Sequence, residues 1–396
     1  MERPAVVMDC GTGYTKVGFA GNVEPSDVFP TSIAYGDGRR RGALDDLRFT
    51  VGAEAARSGG TATTAAPLRQ GMVTDWDDME RFWQQCIFRK LRVDPEEHNF
   101  LLTEPPMNPP ENRERTAEVM FETFGVSGLY IGVQAVLALA GSSASKGSAQ
   151  PLTGVVLDCG DGVSHVVPVV DGFVVGSRIK SMPIAGSNVT AFVQKLLRER
   201  SESIPPELSM EAAKQVKEKF SYVCSDMNKE LAKHQSDPAK YSRTHTMWNA
   251  KAGQEFSFSV GYERFAGPEI FFHPELYSPE FSTGLPELVD GAIQGCGIDS
   301  RRALYNNIVL SGGSTMYKDF GRRMQRDIKN IVEGRLTSAT QAPTVNVVSH
   351  YNQRYAVWFG GSVLASAPTF PSACHTKADY EEYGPSICRA THVFRE

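Results

Sequence analysis

The string Asp-Cys-Gly-x-Gly occurs twice, as Asp9-Cys10-Gly11-Thr12-Gly13 and as Asp158-Cys159-Gly160-Asp161-Gly162. At ordinary residue usage a single match is expected in about one chain in a thousand of this size. Two copies point to a duplicated architecture in which each half opens on the same loop. Each copy follows a short apolar run, Ala5-Val6-Val7-Met8 in the first and Val155-Val156-Leu157 in the second. β-Branched runs that end in Gly and Asp read as buried strands. After each loop a strand pattern resumes, from Tyr14 to Ala20 and from Val163 to Val170, where Pro168 argues against a helix interior. Each unit is predicted as strand, glycine turn, strand. This hairpin differs from the strand, loop and helix of a Gly-x-x-x-x-Gly-Lys-Ser/Thr loop, a string the chain lacks.

One such turn is ordinary hairpin chemistry. Two, each with an Asp, suit a nucleotide's phosphate tail and its metal. Glycines let the backbone approach a ligand closely, and consecutive N–H groups in a tight turn make an anion-binding concavity. Lys16 adds a point charge for phosphates. Mg²⁺ is usually held by one or two carboxylates, phosphate oxygens and water. Asp9 and Asp158, at strand ends facing across a cleft, fit that need. A third candidate lies at Ser311-Gly312-Gly313-Ser314-Thr315-Met316, where an apolar strand from Ile308 enters a Gly-Gly turn before a helix predicted over 317–332. A helix N-terminus behind a glycine turn favours anions and nucleotide edges. The basic run Arg322, Arg323 and Arg326 on that helix reads as a solvated face.

The chain has 396 residues, enough for two lobes with separate cores. Net charge is −5, which gives no footprint for nucleic acid. The first strand begins almost at once, as expected without a secretory signal. The longest apolar stretch, 129–140, is too short to span a bilayer, so no membrane insertion is expected; its spacing reads as a buried helix. Seven cysteines without Cys-x-x-Cys spacing read as reduced thiols, with Cys10 and Cys159 as small buried hydrophobes. Helices are also predicted over 77–91 and over 112–124, the latter behind Pro109-Pro110, and a strand over 100–103. The small-polar stretch 142–148 reads as a linker, and the polar stretch 233–254 as a surface excursion.

Paired Gly hairpins with an Asp each, plus a third Gly-Gly turn, resemble the superfamily of actin, sugar kinases and Hsp70 ATPases. The similarity becomes specific in Val73-Thr74-Asp75-Trp76-Asp77-Asp78-Met79-Glu80, Leu101-Leu102-Thr103-Glu104-Pro105-Pro106-Met107-Asn108-Pro109, Ser311-Gly312-Gly313-Ser314-Thr315-Met316-Tyr317 and Trp358-Phe359-Gly360-Gly361-Ser362. These strings resemble the actin family across essentially the whole chain. The stretches from Tyr262 to Glu275 and from Asp379 to Arg389 resemble the branch of that family that nucleates branched filaments.

The resemblance implies an α/β fold of the duplicated actin-like kind, with two lobes, each a mixed β-sheet with flanking helices, and ATP in the cleft between them. The first lobe is expected at 1–145 plus about 355–396, with a small subdomain at about 34–68. The second is expected at 146–354, with a small subdomain at about 185–278. By the same resemblance, Gly11, Thr12, Gly13, Tyr14 and Lys16 form the first phosphate loop, and Asp158, Gly160, Asp161, Gly162 and Val163 the second. Lys217 and Glu218 take the ribose and adenine contacts. Gly312, Gly313, Ser314, Met316 and Tyr317 form the base-side turn, where Arg354 replaces the Lys of conventional actin. Gln134 and His165 order the attacking water, and Asp9 and Asp158 hold hydrated Mg²⁺. No strong general base is evident, so the implied ATPase is slow, a conformational timer.

The implied role is that of a structural subunit of an actin-nucleating complex in the cytoplasmic cytoskeleton. Its implied partners are actin-related protein 2, the scaffold subunits of that complex, actin filaments and monomers, and nucleation-promoting factors. The stretch 36–46, Gly-Asp-Gly-Arg-Arg-Arg-Gly-Ala-Leu-Asp-Asp, is charged where actin carries an apolar inserting loop. Burying those charges unpaired would be costly, which argues against the alternative of a conventional filament-forming actin. A small-molecule kinase, the other alternative, needs a catalytic Asp and a sugar-type pocket for which no string is found.

Overall fold

The computed structural model describes residues 3–35, 49–57, 63–145, 152–335, 342–391 and 393–394. Two mixed six-stranded sheets dominate it. In the first, the spatial order is His375–Thr376, Gly128–Val133, Asn99–Glu104, Val6–Cys10, Tyr14–Phe19 and Asp27–Pro30. In the second it is Phe173–Val174, Ser164–Val170, Gly154–Cys159, Ile308–Ser311 and Val347–Val348, with Lys180–Met182 also paired to Ser164–Val170. The duplication read from the loops extends to topology. In each sheet the strand before the glycine loop is antiparallel to the strand after it and parallel to a strand on its other side. These central strands are covered on both faces, so they are apolar runs and show little alternation.

A pair of helices, Gln134–Ser145 and Ala356–Ala365, forms the layer between the sheets. Their core companions are Val7, Leu101 and Val133 from the first sheet and Val156, Val167 and Val309 from the second. The helices cross at glycines. A Cβ on Gly360 would lie 1.8 Å from the Leu137 carbonyl oxygen, and one on Gly141 would lie 2.8 Å from that of Ala356. Any side chain at Gly360 would force the helices apart. Trp358, fully buried, donates its indole N–H to the Val7 carbonyl at 3.0 Å and anchors the second helix to the first sheet.

Several expectations are corrected. The stretch 129–140 is two elements, the strand Gly128–Val133 and then the helix Gln134–Ser145. An apolar run has the same composition in either state, and parallel pairing with Asn99–Glu104 decides it. The helix also takes up Ser142 to Ser145, read as linker; the rest of that stretch lies outside the described residues. The helix expected over 77–91 is α over Trp76–Gln84 and π over Gln85–Leu91; the one expected over 112–124 is α over Pro110–Glu118 and π over Val119–Thr123. The helix expected over 317–332 runs Phe320–Arg335. The polar stretch 233–254 lies mostly at the surface, as read from the sequence; a helix ends at Ser236, and Arg243–Asn249 pairs with Gln254–Val260 as a hairpin that buries His245, Met247 and Asn249. The charged stretch 36–46 lies outside the described residues.

Arg323 does not belong to a solvated face. It is 8% exposed and donates to Glu269 Oε1 at 3.1 Å, Asp327 Oδ2 at 2.5 Å and the Cys224 carbonyl at 2.7 Å. Its guanidinium also covers the Phe272 ring. Glu269 is fully buried, so removing the arginine leaves a carboxylate without its main partner. Arg323→Ala is expected to cost about 3–5 kcal/mol in urea unfolding; a loss below about 1 kcal/mol, the level of an exposed pair, would contradict this assignment.

Candidate functional site

Both glycine loops close in the same way. The Gly11 N–H donates to the Tyr14 carbonyl at 3.2 Å, and the Gly160 N–H to the Val163 carbonyl at 3.3 Å. The registers match as well, with Asp9 opposite Lys16 and Asp158 opposite His165. The duplication thus gives each half an Asp with a different titratable partner, Lys in one and His in the other. The loops meet tip to tip. A Cβ on Gly13 would lie 2.6 Å from Asp161 Cβ, and one on Gly162 would lie 2.7 Å from Thr12 Oγ1. Both glycines are required by this approach.

The third turn docks on the second loop. Gly312 has φ +88°, and a Cβ there would lie 2.3 Å from the Cys159 carbonyl oxygen, so only glycine fits. Ser314 Oγ donates to the Gly160 carbonyl at 2.8 Å. The Gly312 N–H donates to the Gln353 carbonyl at 3.1 Å, which brings Arg354 to the same place. Lys217 Nζ donates to the Gly186 carbonyl at 3.0 Å and lies 3.7 Å from Asp161. The loops, the third turn and the helix Ser209–Phe220 enclose a cavity of about 330 Å³. Every site residue expected from the sequence lines it: Asp9, Gly11 to Tyr14 and Lys16 of the first loop, Asp158, Gly160 to Val163 and His165 of the second, Gln134, Lys217, Glu218, Gly312 to Ser314, Met316, Tyr317 and Arg354.

The charged end is organised around Asp9 and Asp158. Lys16 Nζ donates to Asp9 Oδ2 at 2.8 Å, and Thr103 Oγ1 donates to Asp9 Oδ1 at 2.7 Å. Gln134 Nε2 reaches Thr103 Oγ1 at 3.5 Å. Burial raises the pKa of Asp158 and the charge of Asp9 raises it further, against the Ser311 hydroxyl and Lys16. A cation placed between the two carboxylates would relieve that strain. His165 is 9% exposed, and burial lowers its pKa to about 4, so it is neutral at physiological pH. Its Nδ1 lies 2.8 Å from Ser181 Oγ, while its Nε2 has no partner among the described residues. Such an unpaired buried nitrogen suits a water or ligand atom in the cavity. The donor set therefore fits a polyphosphate with a divalent cation: Lys16 and the two loops for phosphate, Asp9 and Asp158 for the cation. Burial pushes the Cys10 thiol up to about 12 and raises that of Cys159 as well, so neither is poised as a nucleophile.

Sequence reasoning missed several residues in or behind the cavity wall. Thr103 holds Asp9, and Ser311 stands beside Asp158 in the parallel register, so each Asp has a hydroxyl neighbour from the next strand. Both residues occurred in recognised strings, but only the register shows what they face. Gly71, at φ +82°, donates its N–H to Thr12 Oγ1 at 2.8 Å. Ser221 lines the cavity with a buried hydroxyl that has no partner among the described residues.

The chain is similar to known proteins along nearly its whole length. The family described as Actin matches residues 1–392. The chain is 56% identical to actin-related protein 3 of Drosophila melanogaster, over 99% of this chain and 98% of the relative. It is 54% identical to actin-related protein 3 of Oryza sativa subsp. indica, over 100% of this chain and 98% of the relative. It is 52% identical to that of Dictyostelium discoideum, over 98% and 97%.

The buried neutral imidazole has a consequence for stability. An unfolded His titrates near pH 6.5, whereas His165 in the fold titrates at about 4. Between those values the unfolded chain binds a proton that the folded chain does not, so this group makes stability fall as pH drops from 6.5 towards 4. His165→Gln is expected to lose less stability than the wild type across that window in urea unfolding. Equal slopes would show that His165 is not held neutral.

Proposed function

The chain belongs to the actin family, and from that premise we propose that it is an ATP-binding structural subunit of an actin-nucleating complex, in the role of actin-related protein 3. The observation that carries the nucleotide part is the meeting of two glycine loops, each with its Asp, over one cavity. The near full-length similarity to proteins named actin-related protein 3 supports the rest.

In this reading Mg-ATP supplies the negative charge and the cation that join the two lobes. Lys16 and the loop backbones bind phosphate, and Asp9 and Asp158 orient the hydrated cation. Lys217, Glu218 and the turn at Gly312 and Gly313 take the ribose and base. Gln134 donates through its amide, and His165 offers the unpaired Nε2; together they position a water and remove no proton strongly. Hydrolysis is therefore slow and acts as a timer.

With ATP holding the lobes closed, one end of the molecule resembles a filament end. The charged stretch 36–46 disfavours the opposite longitudinal contact. Paired with actin-related protein 2 and scaffold subunits in the cytoplasm, and engaged by nucleation-promoting factors, the chain templates a daughter filament on actin.

A tagged copy expressed in its own cells is expected to co-purify with a second actin-like chain and smaller scaffold subunits. That assembly is expected to shorten the lag of actin polymerisation, whereas the chain alone stays in the supernatant on sedimentation with Mg-ATP. Robust filaments of the chain alone, or purification without a second actin-like chain, would contradict the nucleating role and favour a filament-forming actin.

A further inference from the structure

The phosphate-loop residue Tyr14 carries a ring that no phosphate contact requires. Tyr14 sits at the start of the strand Tyr14–Phe19 in the first sheet. Its ring crosses to groups carried by the second lobe. Lys214 Nζ, on the helix Ser209–Phe220, lies 4.9 Å from the ring centroid, and the Arg354 guanidinium carbon lies 5.9 Å from it. Both contacts are within cation–π range. Arg354 is exposed and also lines the cavity, which places the cluster at the cavity's opening. Burial opposes the charge on Lys214, but the Tyr14 hydroxyl and Glu218 more than offset it, so the lysine stays charged beside the ring.

We propose that Tyr14, gripped by Lys214 and Arg354, is a clasp across the cleft that sets how fast nucleotide enters and leaves; this rests on the ATP-binding reading above. The geometry gives the reason. Gly13, next in the chain, already touches Asp161 of the opposite loop, so the loops part only if Tyr14 moves with them. Separation strips the ring from both cations. The clasp forms between protein groups alone, so it closes the cavity against entry and exit alike. A direct ligand contact would slow exit only. The clasp therefore regulates residence time with little effect on affinity, which suits a subunit that uses ATP as a timer.

Stopped-flow capture and release of etheno-ATP by the full chain with Mg²⁺ tests this. Tyr14→Ala is expected to speed capture and release alike, each by roughly tenfold. Lys214→Gln is expected to speed both by a smaller factor and to add nothing in the Tyr14→Ala background, because the lysine acts through the ring. Unchanged rates in Tyr14→Ala would overturn the clasp. Faster release with an equal loss of affinity would also overturn it, by making Tyr14 a direct ligand contact. Additive effects of the two substitutions would overturn the Lys214 grip. Should Tyr14→Ala not fold, Lys214→Gln alone decides: faster capture and release support the clasp, and wild-type rates refute it. A wild-type chain that captures no etheno-ATP would instead remove the ATP-binding reading itself.

Discussion

The contact between two glycine loops governs this molecule. Gly13 lies against Asp161 and Gly162 against Thr12, at separations that exclude a Cβ on either glycine. Asp9 and Asp158 stand one step behind the loops on equivalent strands, close enough for the charge of one to raise the pKa of the other. The duplicated register then places Lys16 in one half and His165 in the other. One donates from its ammonium to the neighbouring Asp9, and the other presents a neutral ring whose Nε2 has no partner among the described residues. A symmetric scaffold thus yields an asymmetric site.

The loops meet because of the helix pair between the sheets. Gly141 and Gly360 let the helices Gln134–Ser145 and Ala356–Ala365 approach to backbone contact, and apolar residues from both sheets pack around them. Gln134 is the first residue of one of these helices, so the amide that reaches Thr103, the donor to Asp9, is carried on the layer between the sheets. A change in the angle between the lobes would act at that point. The loops and the packing between the sheets are thus linked through a few closely packed residues.

How much of this was legible in the sequence depends on the range of each interaction. The loops were readable because their chemistry is local: Gly where the backbone must come close, Asp at the strand end, Lys16 on the returning strand. All the expected site residues do line one cavity. Thr103 and Gly71 were not readable as site residues, because their partners Asp9 and Thr12 lie far away in the chain and only strand register or a turn brings them together. Arg323 looked solvated for the same reason, since Glu269 is distant in sequence. The stretch 129–140 was misread because an apolar run fits a buried strand or a buried helix equally well. In 233–254 the second half is a hairpin strand whose exposed residues alternate with buried His245, Met247 and Asn249.

The central claim is that one nucleotide is held by both loops at once. Hydrogen–deuterium exchange of the purified chain, with and without Mg-ATP, tests it most directly. The account expects Mg-ATP to slow exchange together in the segments around Gly11 to Lys16, around Gly160 to His165 and at the turn from Gly312 to Tyr317. Protection of one loop without the other, or of neither, would contradict it.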